Sequence, residues 1–117
     1  FYIIEFHPVV QMLDEEEGAA IKYPYFATPE PLRFEERGSY ADRNADFSHP
    51  HYEWIHSLGD VVNALISAGL QIESLNEFPF SSYPCFPFLE PAEDGFWKLK
   101  EGRPPIPIMF SVKSRKQ

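Results

Sequence analysis

The sequence predicts a layered α/β fold of which these 117 residues supply only a part: a few strands, one main helix and an inserted β-hairpin. Three stretches carry that prediction. "HSLGDVVNALISAGLQIESLNEFPF", residues 56 to 80, reads as a helix running through a glycine into a strand; "FYIIEF", residues 1 to 6, is apolar almost throughout; and "IPIMFSVKSRK" closes the chain as an alternating strand. A strand that is apolar on both sides needs cover on both faces, and one helix covers only one. The missing cover is expected from an N-terminal segment or from a second copy of the chain.

Each element has its own local reason. After the strand at 1 to 6, Pro8 opens a short helix carrying Val9, Val10 and Leu13, which the acidic run Asp14 to Glu17 and then Gly18 bring to an end. That acidic run reads as a solvated loop, because consecutive carboxylates lack the spaced geometry of a calcium site. Residues 20 to 40 hold two alternating stretches, Ile21, Tyr23 and Tyr25 in the first and Leu32, Phe34 and Glu36 in the second, joined by the turn-rich "ATPEP". They are expected to pair as a hairpin, with Pro24 confining its strand to an edge. "ADRNADFSHPHYEWIH" is a polar loop entering an extended segment.

Ser57 is placed to cap the main helix and Asp60 to complete a capping box. Leu58, Val61, Val62, Leu65 and Ile66 form one apolar stripe, and Gly69 sits where a left-handed residue stops the helix. In "QIESLNEF" the alternation slips after Ile72, which predicts a bulge or a strand covered on both faces. The proline-rich connection that follows contains a short strand at "GFWKL", and the final strand alternates through Ile106, Ile108, Phe110 and Val112.

Composition narrows the function classes. The net charge of -8 and pI near 4.9 argue against a dedicated nucleic-acid surface, which needs clustered Lys and Arg; the one basic run, "KSRK" at 113 to 116, ends a strand and reads as a solvated tail rather than a binding patch. A single cysteine, Cys85, rules out an internal disulfide framework and fits a reducing, cytoplasmic setting. No apolar run approaches the roughly 20 residues that span a bilayer, and no signal peptide is visible, so no membrane partner is expected.

The order strand, long insertion, helix, strand, loop, strand resembles the C-terminal part of a class I S-adenosylmethionine-dependent methyltransferase, a Rossmann-like family. Its motifs are "FYIIEFHP" as the fifth strand, "SLGDVVNALISAGL" as the helix, "QIESLNEF" as the sixth strand and "IPIMFSVKSRK" as the seventh, returning antiparallel between the other two. The resemblance covers 1–7 and 56–117 as the end of a mixed sheet, and makes 8–55 the variable insertion that shapes the substrate pocket. It implies methyl transfer from S-adenosylmethionine, by in-line displacement, to a small-molecule acceptor. The family's glycine-rich turn and the acidic residue that holds the cofactor's ribose are absent from these residues, so the resemblance implies no cofactor-binding residues here and a segment inactive alone. The other reading, from a different class, is a non-catalytic binding or dimerisation module that uses the aromatic hairpin.

Ligands of open α/β sheets lie beyond the carboxyl ends of the strands, which directs attention to His7 and Glu77, with Glu5 nearby. His7 is either an acid-base partner or a residue that satisfies backbone at a strand end, and Glu77 is more simply an exposed strand-end charge. Tyr25 and Tyr40, with Tyr23, Phe26 and Phe34, line a pocket, a dimer surface or only the apolar face of the hairpin. His49, His51, Glu53 and His56 are metal-ligand types, but in an extended segment His56 points away from the other three and the spacing matches no closed zinc pattern, so no metal site is expected. Self-association of the chain is expected through the uncovered edge of the first strand or through the hairpin.

Overall fold

The structure, a computed structural model, describes residues 1–39 and 41–117. The elements run β1 (Tyr2–Phe6), a 3-10 turn at Val10–Met12, β2 (Leu32–Arg37), β3 (Ser48–Glu53), α1 (Leu58–Ser67), β4 (Leu70–Phe78), β5 (Leu89–Pro91), β6 (Trp97–Leu99) and β7 (Met109–Lys116). They form three small sheets, β1-β7-β4, β2-β3 and β5-β6, in which every strand pair is antiparallel.

This overturns the α/β expectation. With 37% of the chain in strands and 11% helical, it is a strand-dominated molecule of small antiparallel sheets, not a Rossmann-like mixed sheet layered with helices. β1 and β4 run in the same direction, but β7 lies between them and is antiparallel to each. Among the described residues neither strand therefore has a parallel neighbour, and a mixed sheet requires one. The first strand is likewise not buried on both faces. β1 is an edge paired with β7 alone, and Tyr2 and Ile4 are 56% and 53% exposed. An apolar run records what a strand can tolerate; burial also needs neighbours, and these are missing on one side.

The helix begins as its sequence dictates. Ser57 Oγ accepts the Asp60 N–H at 3.1 Å, and Asp60 Oδ2 accepts the Ser57 N–H at 3.1 Å, a reciprocal capping box. Gly69, at φ 82°, turns the chain into β4. No residue of α1 is fully buried, however, and Ile66 at its last turn is 53% exposed, so the apolar stripe is only half covered. β4 carries its register shift between Ile72 and Ser74, where the alternation slips. "KSRK" ends the last strand, β7, as expected, with Lys113, Arg115 and Lys116 exposed, Lys113 Nζ 3.1 Å from Glu73 and Arg115 donating to Gln71 at 2.9 Å.

The hairpin is also differently made. β2 pairs with β3, in the register Leu32↔Glu53, Phe34↔His51 and Glu36↔His49, while the stretch around Ile21, Tyr23 and Tyr25 forms no strand. Ile21 makes one isolated bridge, to Leu13, and the N–H groups of Lys22 and Tyr23 both turn to the Met12 carbonyl. Pro24 has no N–H to continue a ladder.

The core gathers where these sheets meet. Val10, Phe88, Leu89 and Ile108 are buried together, with Phe6, Trp97, Leu99 and Met109 packed against them. Gly18 is needed there: its φ is 61°, and a Cβ on it would lie 2.5 Å from Cγ of Phe88. Asp14 shapes the loop before it. Its Oδ1 accepts the N–H groups of Glu17 and Gly18 and its Oδ2 those of Ala19 and Ala20. These donors, Ala20 foremost, hold the carboxyl well below the usual aspartate range. The acidic run is thus a loop organised around one of its own carboxylates. Among the described residues no helix is long and apolar enough to cross a membrane.

Candidate functional site

Ile108, just ahead of β7, laces the carboxyl ends of β1 and β4 together: it accepts the His7 N–H at 2.8 Å and donates to the Phe78 carbonyl at 2.7 Å. Glu5 and Glu77 both pair with Phe110, so they and His7 share one sheet face. His7 Nε2 consequently meets Glu77 Oε1 at 2.7 Å. The Val9 N–H donates to His7 Nδ1 at 3.1 Å, which assigns the proton to Nε2 and makes it the donor to Glu77. The imidazole is 2% exposed and stands edge-on to Phe110, ring centroids 5.9 Å apart. Both of its nitrogens are occupied, so it has no free lone pair to offer a substrate. Among the expected site residues the structure brings His7 and Glu77 together, as a strand-end lock; Glu77 is more than a solvated charge.

Tyr25 serves the helix: its hydroxyl accepts the Leu58 N–H at 3.3 Å, satisfying one of the open donors at the start of α1. Its ring packs edge-on to Phe26, centroids 5.1 Å apart. Tyr40 lies outside the described residues.

The cavity lies elsewhere. The register of β2 with β3 puts Leu32, Phe34, Glu36, His51 and Glu53 on one face of the hairpin, and that face walls a space of about 600 Å³ closed on other sides by Phe6, Gln11, Leu13, Tyr23 and Phe86. Its chemistry is aromatic and acidic. His51 stacks on Phe34, centroids 5.2 Å apart and planes 16° from parallel, and Tyr23 leans on Phe34 at 5.6 Å. His51 Nε2 donates to Glu53 Oε1 at 3.1 Å, while Nδ1 is buried with no hydrogen-bond partner. Glu15 also lines the space, neutralised by Lys22 at 2.9 Å, and Arg43 is the one guanidinium among the lining residues. None of His7, Tyr25 and Glu77 lines it.

The sequence carried the signal in "HPHYE", whose alternating His and Glu share a face, but the alternation alone does not reveal that Phe34 and Glu36 pair with that segment. Pairing β2 with residues 21 to 25 hides the site. His49, on the same face, instead stacks on Phe47, and among the described residues no three His, Cys, Asp or Glu side chains converge to hold a metal ion. Cys85 reaches the cavity wall. Burial pushes its thiol up, and Sγ donates to Ser81 Oγ at 3.3 Å, so it is a packed thiol rather than a nucleophile.

The space over Gly18 is filled by the Phe88 ring and that over Gly38 by the backbone of Arg43, whereas Gly69, Gly95 and Gly102 have open space above them. No family model matches the chain, and no curated protein or solved structure matches it.

Proposed function

We propose that this chain is the C-terminal, acceptor-side part of an S-adenosylmethionine-dependent methyltransferase, with a small-molecule acceptor. The observation that carries the reading is the cavity: Phe6, the last residue of β1, lies in its wall, and the insertion 8–55, expected from the sequence to shape an acceptor pocket, contributes most of the rest.

In this reading the residues of the chain bind and orient. The His7–Glu77 lock fixes the ends of β1 and β4, and the hairpin face holds the acceptor, so rate enhancement comes from alignment rather than from acid-base chemistry at His7. The cofactor would be held by other residues, and no step at it is assigned to this chain.

The test is calorimetric titration of S-adenosylmethionine and S-adenosylhomocysteine into this chain and into the full-length product of its gene. Binding by the full-length product alone is the expected result. Binding by neither would remove the enzyme and leave a non-catalytic binding or dimerisation module.

A further inference from the structure

The hairpin cavity has a defect in its polar accounting. His51 Nδ1 is buried and has no hydrogen-bond partner, and Glu36 Oε2 stands 3.8 Å from it. That separation is beyond hydrogen-bond reach whether or not Nδ1 carries a proton. Nε2 lies 3.1 Å from Glu53 Oε1, and in the tautomer in which it donates there, Nδ1 turns a lone pair toward the Glu36 carboxylate. In that tautomer two acceptors stand side by side with no donor between them, at a half-open site. Around this gap the walls are aromatic and the charge is mostly negative: Phe34 lies under the imidazole, Tyr23 leans on Phe34, and Phe6 and Phe86 close the space.

We propose that the cavity binds an organic amine, whose ammonium N–H groups donate to His51 Nδ1 and to Glu36 while its apolar body lies against Phe6, Tyr23 and Phe86. Three properties of the site select this class. An ammonium has several donors and no acceptor, so it can serve two acceptors at once. Aromatic faces and carboxylates attract the same cation, and the first also bury its hydrocarbon part. An anion or a neutral alcohol would do worse: the anion would meet Glu36 and Glu53, and the single O–H of the alcohol could satisfy only one of the two acceptors. The volume of about 600 Å³ suits a molecule of one ring or a short chain. Glu36 is the adjustable member, because its side chain is 63% exposed and can swing to admit the nitrogen, whereas His51, 29% exposed, is held by Phe34 and Glu53. In the framework of the proposed function, on which this assignment of substrate class rests, the amine is the methyl acceptor.

The experiment uses phenethylamine as probe, with phenylacetate and 2-phenylethanol as controls of like shape, titrated into this chain and into the full-length gene product. Affinity is read by calorimetry and the His51 ring nitrogens by NMR. Saturable binding of phenethylamine in preference to both controls is expected, with His51 held as the Nε2–H tautomer and its Nδ1 resonance moved by hydrogen bonding. Glu36→Gln, a change at an exposed side chain, should weaken phenethylamine about fivefold, the loss of one charge-assisted hydrogen bond at a half-open site, and leave the weak binding of 2-phenylethanol unaltered. Equal binding of all three probes, no binding, or an unchanged affinity in Glu36→Gln would overturn the amine assignment. None of those results touches the methyltransferase reading, which stands or falls on cofactor binding in the separate titration.

Discussion

His7 shows how one side chain ties a strand end to its surroundings. Its ring is almost wholly buried, yet each nitrogen has a partner, Val9 N–H on one side and Glu77 on the other. Replacing it with Ala leaves the Val9 donor unsatisfied and opens a cavity beside Phe110. His7→Ala should therefore lower unfolding stability by about 2–4 kcal/mol, measured as a shift in the urea midpoint at constant slope. Glu77→Gln keeps an acceptor for Nε2–H at a half-exposed position and should cost less than about 1 kcal/mol. A larger loss in Glu77→Gln than in His7→Ala would mean that the carboxylate charge, rather than the packed ring, holds the strand ends. Residue types at the strand ends were readable from the sequence; that Ile108 brings the two ends into contact was not, because that residue lies some 30 positions beyond Glu77.

At the scale of elements the start of α1 is over-specified, by the reciprocal box of Ser57 and Asp60 and by the Tyr25 hydroxyl on the Leu58 N–H. Ser57→Ala removes an acceptor that the helix cannot replace internally, and is expected to cost about 1 kcal/mol in thermal or urea unfolding. Tyr25→Phe, which removes only the longer 3.3 Å contact, should cost less; the reverse order would make Tyr25 the principal cap. Local signals of this kind, the cap, Gly69 and the slip after Ile72, are legible because their causes lie within a few residues. The hairpin is not. Its two strands are separated by ten residues of sequence, 38 to 47, and the nearer alternating stretch around Tyr23 competes for the same pairing until Pro24 and the Met12 carbonyl are taken into account.

The whole molecule is open. Its radius of gyration is 16.2 Å, where a compact domain of this length has roughly 13 Å, and β1 presents a free edge flanked by half-exposed Tyr2 and Ile4. Such an edge offers unpaired backbone groups to another strand. The isolated chain should associate with itself in a concentration-dependent way in sedimentation velocity, and Ile4→Lys, a charge set on that edge strand, should shift it toward monomer; a monomer at all concentrations would show that the edge is protected in solution. The sequence by itself determined the local elements: the capped helix, its glycine stop, the bulged strand after it, the alternating final strand, and the acidic character that argues against a nucleic-acid surface. It did so because capping, periodicity and charge act between neighbours along the chain. Tertiary structure alone decided that the molecule is a set of antiparallel sheets, that β1 is an edge, that His7 meets Glu77 and that His51 and Glu36 stand side by side on the hairpin face that walls the cavity. Those outcomes depend on which distant strands pair, and pairing is selected by the burial and hydrogen bonding of the whole chain at once.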